Sequence, residues 1–314
     1  ATQRPGLAAL MDTCRINRSV LSAIDIGFRI APHLNAAGRL GDASEALELL
    51  LTDDPARASE LAAKLARLNR ERREIEKVMT QECIEEMKQG LHPESGPIVF
   101  AREGWHPGVA GIVANRVVDR VHRPVWVLCI DGETARGSGR SIDELPLSDL
   151  YPVMGPVVEK VGGHRAAGGM TIRTDRIEQL KQVLADQQAS MADAEQIPPR
   201  RYDLELSPGE INLELADALE SLAPFGNANR QPVFCIRGLR LEGTPRLVGA
   251  AEEHVQVKFR ADGASIGAIW FRGAGRAREL TEGGEMTIVA NLTVNHFRGR
   301  NAQLQIVDRI PDDE

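Results

Sequence analysis

One stretch limits what this chain can fold into more than any other. PARASELAAKLARLNRERREIEKVMTQECIEEMKQ, starting at Pro55, has no glycine and no further proline before Gly90. Leu61, Leu65, Leu68, Ile75, Met79 and Met87 keep one face apolar while the rest is largely charged. The helical period holds over about 35 residues and predicts a helix roughly 50 Å long. Asp54 is placed to cap it, Pro55 suits the first helical position, and Gly90 with the neighbouring HPESGP ends it. A helix this long and half charged is expected to be a strut between domains rather than part of a compact core. The 314 residues are too many for one ordinary core and suggest two or three domains.

The flanks of that helix differ in character. Residues 1–52 read as short helices, with Asp42 a candidate cap for DASEALELLL. Residues 97–173 read as α/β. PIVFA and PVWVLCI are apolar strands, and between them GVAGIVANRVVDRV is an amphipathic helix with Val109, Ile112, Val113 and Val117 on one side. Such a strand–helix–strand unit is most simply a parallel crossover. ARGSGRS follows as a glycine-loosened strand or loop, then a helix capped by Ser148 and running to about Val161, a turn at VGGHRAAGG, the strand GMTIR and a helix over 176–193. EQIPPRR (195–201) is a linker by its prolines. Beyond it, Ser207 and Glu210 have capping-box spacing, and NLELADALESLAPFG is a short helix. The strands VFCIRGLRL, HVQVKFR, SIGAIWF, MTIVANLTV and AQLQIVD then follow; in the second, Val255, Val257 and Phe259 alternate with Gln256 and Lys258. These short strands in about 85 residues fit a small OB-type β-barrel. The fold class is thus α/β plus all-β, joined by a long connecting helix.

Composition narrows the function. A net charge of −7 argues against a uniformly basic nucleic-acid binder, though RLNRERR (67–73), the arginines of 237–246 and FRGR (297–300) supply local positive charge. No run approaches the ~18 apolar residues of a membrane span, and ATQRPGLAAL does not read as a secretory signal. Cys14, Cys83, Cys129 and Cys235 are far apart with no C-x-x-C spacing, so no structural zinc is expected, and a reducing cytoplasm suits them.

Four stretches surround polar side chains with small residues. PHLNAAGRL carries Asn35 and Arg39; GWHPGVAGI sets Trp105 and His106 before a helix start, where anions bind. GSGRS offers Ser138, Arg140 and Ser141, hydroxyls and a guanidinium suited to a phosphate. VGGHRAAGG strips side chains away around His164 and Arg165, with Gly162 and Gly163 before them. Ordinary structural explanations stand beside each: Trp105 as domain packing, His106 as a helix cap, Arg140 paired with Asp143 or Glu144, Arg39 paired with Asp42, and a tight turn with an incidental histidine. Together they make the inventory of a phosphodiester-backbone site. No D-x-D, no H-x-x-x-H and no cluster of metal-ligating carboxylates is present.

LNAAGRL, GWHPGVAGIVANRV, HRPVWVL, GSGRS, GGHRAAGG and APFGNANRQPVF, in this order, resemble the carboxy-terminal part of bacterial single-stranded-DNA-specific exonucleases of the DHH/DHHA1 phosphoesterase family. The resemblance covers essentially the whole chain. It implies the end of a DHH catalytic domain (1–52), a connector helix (53–90), a DHHA1 α/β domain (91–195) and an OB-fold domain (196–314). It implies a part of a 5′→3′ exonuclease of DNA repair and recombination that guides one DNA strand. The metal-bearing motifs belong upstream, so Mn or Mg is expected of the full-length enzyme, no metal ligand is expected here, and this chain alone is expected to be inactive. Ser138 and Arg140 match residues holding a 5′-terminal phosphate, His164 a histidine near the scissile phosphate, and Arg39 a cleft arginine. At His33 the family commonly has arginine. In the barrel, Trp270 and Phe297 could stack bases. The expected partner is single-stranded DNA, with no membrane contact, and the chain is expected to be a cytoplasmic monomer. The alternatives are a stand-alone single-stranded nucleic-acid-binding module, and a DHHA1 phosphodiesterase acting on short oligonucleotides.

Overall fold

The computed structural model of the chain describes residues 4–18, 21–92, 96–187, 202–226, 228–249, 251–280, 284–296 and 299–310. The chain divides into two compact units, Ala1–Pro198 and Pro199–Glu314. The expected linker, the end of the helix over 176–193 and Phe297 lie outside the described residues. Among the described residues no helix is long and apolar enough to cross a membrane.

The first unit begins with three short helices, α1 (Pro5–Thr13), α2 (Ala31–Leu40, entered through a π-helical turn at Asp25–Ile30) and α3 (Ser44–Leu51). The long helix α4 spans Pro55–Lys88, with Asp54 accepting the Ala56 N–H at 2.8 Å. It is not the bare strut expected from its charge. Ala58, Leu61, Ala62 and Leu65 pack with Leu10, Ile30, Ala37 and Leu49 of the preceding helices. Further along, Met79 and Cys83 enter a second core with Ile98, Phe100, Val109 and Val113. The apolar face continues through both halves, so one helix serves as the spine of two cores in the same unit.

A five-stranded sheet follows, in the order β1-β2-β3-β5-β4. Strand β1 (Ile98–Glu103) crosses through α5 (Pro107–Val121) to the parallel strand β2 (Val125–Asp131), as the apolar run–amphipathic run–apolar run pattern predicts. The loosened ARGSGRS segment is a true strand, β3 (Thr134–Arg140), antiparallel to β2. The helix expected from Ser148 to Val161 is mostly absent. Only a single turn, α6 (Tyr151–Met154), forms, and Lys160–Gly163 is strand β4, paired with β5 (Ala167–Arg173). VGGHRAAGG is therefore a β-hairpin tip, not a helix-to-strand turn. Glycine-rich backbone has little helix propensity, and pairing with β5 decides the outcome. Helix α7 (Ile177–Ala185) packs Ile177, Leu180 and Leu184 with Trp126, Leu128 and Ile172.

The second unit is the expected barrel. Ser207 and Glu210 form the capping box, here heading one 3₁₀ turn, and helix α8 (Leu213–Glu220) follows. Beside the short strands β6 (Leu204–Glu205) and β8 (Arg246–Val248), five strands make the ring. They are β7 (Phe234–Leu241), β9 (His254–Ala261), β10 (Ala264–Trp270), β11 (Glu285–Asn295) and β12 (Asn301–Ile310). The order β7-β11-β12-β10-β9 closes where Arg240 and Leu241 of β7 meet Arg260 and Phe259 of β9. Closure removes the sheet edges and encloses Ile236, Val257, Phe259, Ile288 and Leu304.

Candidate functional site

Three of the expected residues meet where α2, α5 and β3 come together. Arg39, in the last turn of α2, donates from Nη1 to the Gly108 carbonyl at 2.9 Å instead of pairing with Asp42. A Cβ on Gly108 would lie 2.1 Å from the Arg39 carbonyl oxygen, so only glycine lets α5 approach α2 this closely. One turn on, a Cβ on Gly111 would lie 2.7 Å from Arg140 Nη2 and 3.4 Å from Ser138 Oγ. Ser138 and Arg140 thus project from β3 onto one face, as residues two apart in an extended strand must, and both rest against α5.

The electrostatics of this junction are unusual. Arg140 donates to the Gly139 carbonyl at 2.7 Å and, among the described residues, pairs with no carboxylate, neither Asp143 nor Glu144. Burial lowers its pKa, and the neighbouring Arg39 guanidinium lowers it further. Both groups stay charged, because guanidinium titrates far above neutrality. Two half-buried like charges, without a carboxylate partner among the described residues, form a site that gains from an incoming anion. A nearby set of cations is handled differently: Arg72 donates at 2.5 Å to buried Glu76, which Arg116 also contacts, and Asn69 accepts a second bond from Arg72 at 3.0 Å. The RLNRERR segment, readable as a solvated face, therefore includes a buried ion group.

The hairpin tip stands two strands from Arg140. Arg140 opposes Ala167, and the His164 N–H donates to the Ala167 carbonyl at 2.8 Å, so the two residues' backbones are roughly 10 Å apart at ordinary strand spacing. The Tyr151 hydroxyl donates to the His164 carbonyl at 3.3 Å. The backbone of His164 is held, while its ring is exposed and bonds to nothing among the described residues. Arg165 donates to the Asp143 carbonyl at 3.3 Å, tying the tip to the loop after β3.

The glycines here do two different jobs. Gly163 has φ 150°, and a Cβ there would lie 2.4 Å from the Ala167 carbonyl. Gly168 leaves room for the Tyr151 hydroxyl, and Gly139 for the Trp126 ring. Gly162 and Gly169 are different: a Cβ on Gly162 would meet nothing within 4 Å, and one on Gly169 only the Gly137 carbonyl at 3.7 Å. They pair with each other, and Ser138 pairs with Gly169, so across β3, β5 and β4 this row carries a single side chain, that of Ser138.

Other expected residues lie elsewhere or are otherwise engaged. Asn35 is exposed one turn before Arg39. His106 caps α5: its Nδ1 accepts the Gly108 N–H at 3.1 Å and its carbonyl the Val109 N–H at 3.0 Å. The first-turn donors are thereby used internally, which removes the helix N-terminus as an anion site. Trp105 is only 7% exposed, lies in the α4–α5 core and donates to Glu82 at 2.6 Å; it is a packing residue, not a strand contact. The Ser141 hydroxyl donates to the Leu145 carbonyl and closes a turn. Trp270 is 4% exposed in the barrel core, with Arg276 stacked 4.7 Å over its ring, so it has no face for a base. His33 donates from Nδ1 to the Arg29 carbonyl at 2.7 Å; burial, with Arg73, Arg72 and Arg70 nearby, pushes its pKa down.

The chain matches the model of the DHHA1 domain over residues 95–190 and that of the RecJ OB domain over 202–308. It is 33% identical over 312 residues to the single-stranded-DNA-specific exonuclease RecJ of Bacillus subtilis, covering 98% of this chain and 39% of that protein. It is 33% identical over 319 residues to the Escherichia coli protein of the same name, covering 98% of this chain and 54% of that one. The crystal structure of Thermus thermophilus RecJ in complex with Mn2+ superposes with a TM-score of 0.80 at 28% identity, over 100% of this chain and 45% of that one. The chain spans about half the length of the relatives it matches, between 39% and 56%. Among the described residues no three His, Cys, Asp or Glu side chains cluster as a metal ion such as the Mn2+ of that relative would need.

Proposed function

Because this chain belongs to the RecJ family and carries its DHHA1 and OB domains, we propose that it is the strand-positioning part of a 5′→3′ single-stranded-DNA exonuclease of DNA repair and recombination. Ser138 and Arg140, with Arg39 beside them, hold the 5′-terminal phosphate. The observation that carries this reading is the pair of half-buried guanidiniums without a carboxylate partner among the described residues, Arg140 set against Gly111 with the Ser138 hydroxyl. A terminal phosphate carries more charge than an internal one and presents more acceptor oxygens, so it answers both guanidiniums at once. The exposed His164 ring, two strands away, stands beside the phosphodiester next along the strand. The barrel lends further contact to single-stranded DNA.

The test is direct binding of oligo-dT carrying either a 5′-phosphate or a 5′-hydroxyl. The chain should prefer the phosphate about tenfold, the size of one charge-assisted hydrogen bond. Arg140→Ala should remove the preference without moving the melting curve. A preference that survives Arg140→Ala in a folded protein would refute the clamp.

A further inference from the structure

The sheet face that carries Ser138 and Arg140 extends beyond them. Residues directly opposite in antiparallel strands share a face, so the pairings fix three successive rows across β3, β5 and β4. Arg140 and Ala167 stand in line with the backbone of His164; Ser138, Gly169 and Gly162 form the next row; Arg136, Thr171 and Lys160 form the third. Helix α5 packs on β2 and β3, and on this face no described helix covers β5 and β4. A cavity of about 450 Å³ opens there, lined by Arg136, Lys160 and Thr171 over the bare Gly162–Gly169 backbone. Arg136 and Lys160 are exposed, flank the Thr171 side chain, and among the described residues pair with no carboxylate. Two cations around a hydroxyl form the donor set of a phosphate seat.

We propose that Arg136, Thr171 and Lys160 form a second phosphate seat, for the outer phosphate of a strand whose 5′ end carries a di- or triphosphate. The inference rests on the reading above that the 5′-phosphate lies at Ser138 and Arg140. Successive rows are about 7 Å apart, two residues along a strand. The strand leaves the clamp toward His164, in the Arg140 row, so the Arg136 row lies on the opposite side of Ser138. A phosphate on that side belongs to the end itself. The bare glycine row lets a chain of phosphates cross the sheet without meeting a side chain. Such ends arise where a polymerase starts a strand from a nucleoside triphosphate.

The experiment compares binding of this chain to oligo-dT with a 5′-triphosphate, a 5′-monophosphate and a 5′-hydroxyl. The triphosphate should bind about tenfold tighter than the monophosphate, the gain of one further charge-assisted contact. R136A/K160A should erase that gain and leave monophosphate binding unchanged, while R136K/K160R, which keeps both charges, should retain it. Equal binding of tri- and monophosphate by the wild type, or a gain that survives R136A/K160A, overturns the proposal. So does a double variant that instead loses affinity for each added nucleotide on a monophosphorylated strand, which would give the seat to the strand. The clamp fails separately, through a monophosphate-over-hydroxyl preference insensitive to Arg140→Ala.

Discussion

The exposed β3–β5–β4 face of the first unit's sheet and a set of arginines in the barrel unit treat positive charge in opposite ways. In the barrel unit, Arg237, Arg240, Arg260, Arg276 and Arg300 each lie within ion-pair distance of a carboxylate: Glu205, Glu285, Glu242, Glu279 and Asp217 respectively. On the sheet, Arg102 and Arg173 pair with Glu82 and Asp175, but on the face that carries Ser138, Arg136, Arg140 and Lys160 have no such partner among the described residues. Their strands also differ in bulk, since the facing row of β3, β5 and β4 holds Gly169 and Gly162 where β9 and β10 turn Val255, Val257, Phe259, Ile266 and Trp270 into a core. A paired arginine contributes to its own fold; an unpaired one on a bare backbone is available to an anion. If the proposed function holds, the contrast gives the means by which an acidic chain would hold a polyanion, because the balance that matters is local.

The largest test of this contrast separates glycines that build the sheet from those that leave it bare. Gly163→Ala puts a Cβ 2.4 Å from the Ala167 carbonyl at φ 150°, so neither backbone can yield cheaply. It should destabilise the first unit by about 1–3 kcal/mol, read by urea unfolding. Gly162→Ala meets open space and should keep stability or raise it by about 0.4–1 kcal/mol, by restricting the unfolded chain. It should nonetheless weaken oligonucleotide binding. Equal destabilisation by both would make the bare row a packing feature and dissolve the contrast.

A smaller test comes from the barrel. Arg276 stacks on Trp270 and bonds Glu279 at 2.6 Å and Asp308 at 2.7 Å. Arg276→Ala should cost about 1–2 kcal/mol of barrel stability, the sum of a partly desolvated cation–π contact and exposed ion pairs. Binding of oligo-dT, measured at a temperature where the variant is folded, should not change. A binding loss as large as that of Arg140→Ala would show that barrel cations also serve the ligand.

Much of this was legible in the sequence, for physical reasons that differ by element. The span of α4, the β1–α5–β2 crossover and the barrel strands follow from apolar periodicity, which burial enforces. Ser138 and Arg140 were readable as a pair because a period of two puts them on one face. Arg136, Lys160 and Thr171 were not, because KVGG carries no strand signal of its own; its register with β5 exists only in the tertiary fold. Likewise Glu76 sits in a run that looks solvated, and only the approach of α5 with Arg116 buries it. Trp270 shows the reverse error: an aromatic residue in a nucleic-acid-type barrel suggested stacking, whereas its ring is packed inside, as is that of Trp105.

The smallest predicted effect concerns His33, where the cations of α4 reach a titratable group. Its Nδ1–H is committed to the Arg29 carbonyl, its ring is half-buried, and Arg70, Arg72 and Arg73 stand near. Burial and then those cations lower its pKa below the ordinary histidine value. As pH falls through about 6.5, the unfolded chain takes up a proton that the folded chain refuses. Stability is therefore full above that pH and declines below it, until the lowered folded pKa is passed. His33→Asn, which cannot titrate, should flatten this part of the curve when urea unfolding is compared at neutral and mildly acidic pH. An unchanged slope in that variant would mean that His33 is already free to protonate in the fold. The cations of α4 would then be screened as well as those of the barrel, and the contrast between the two units would be confined to the sheet face.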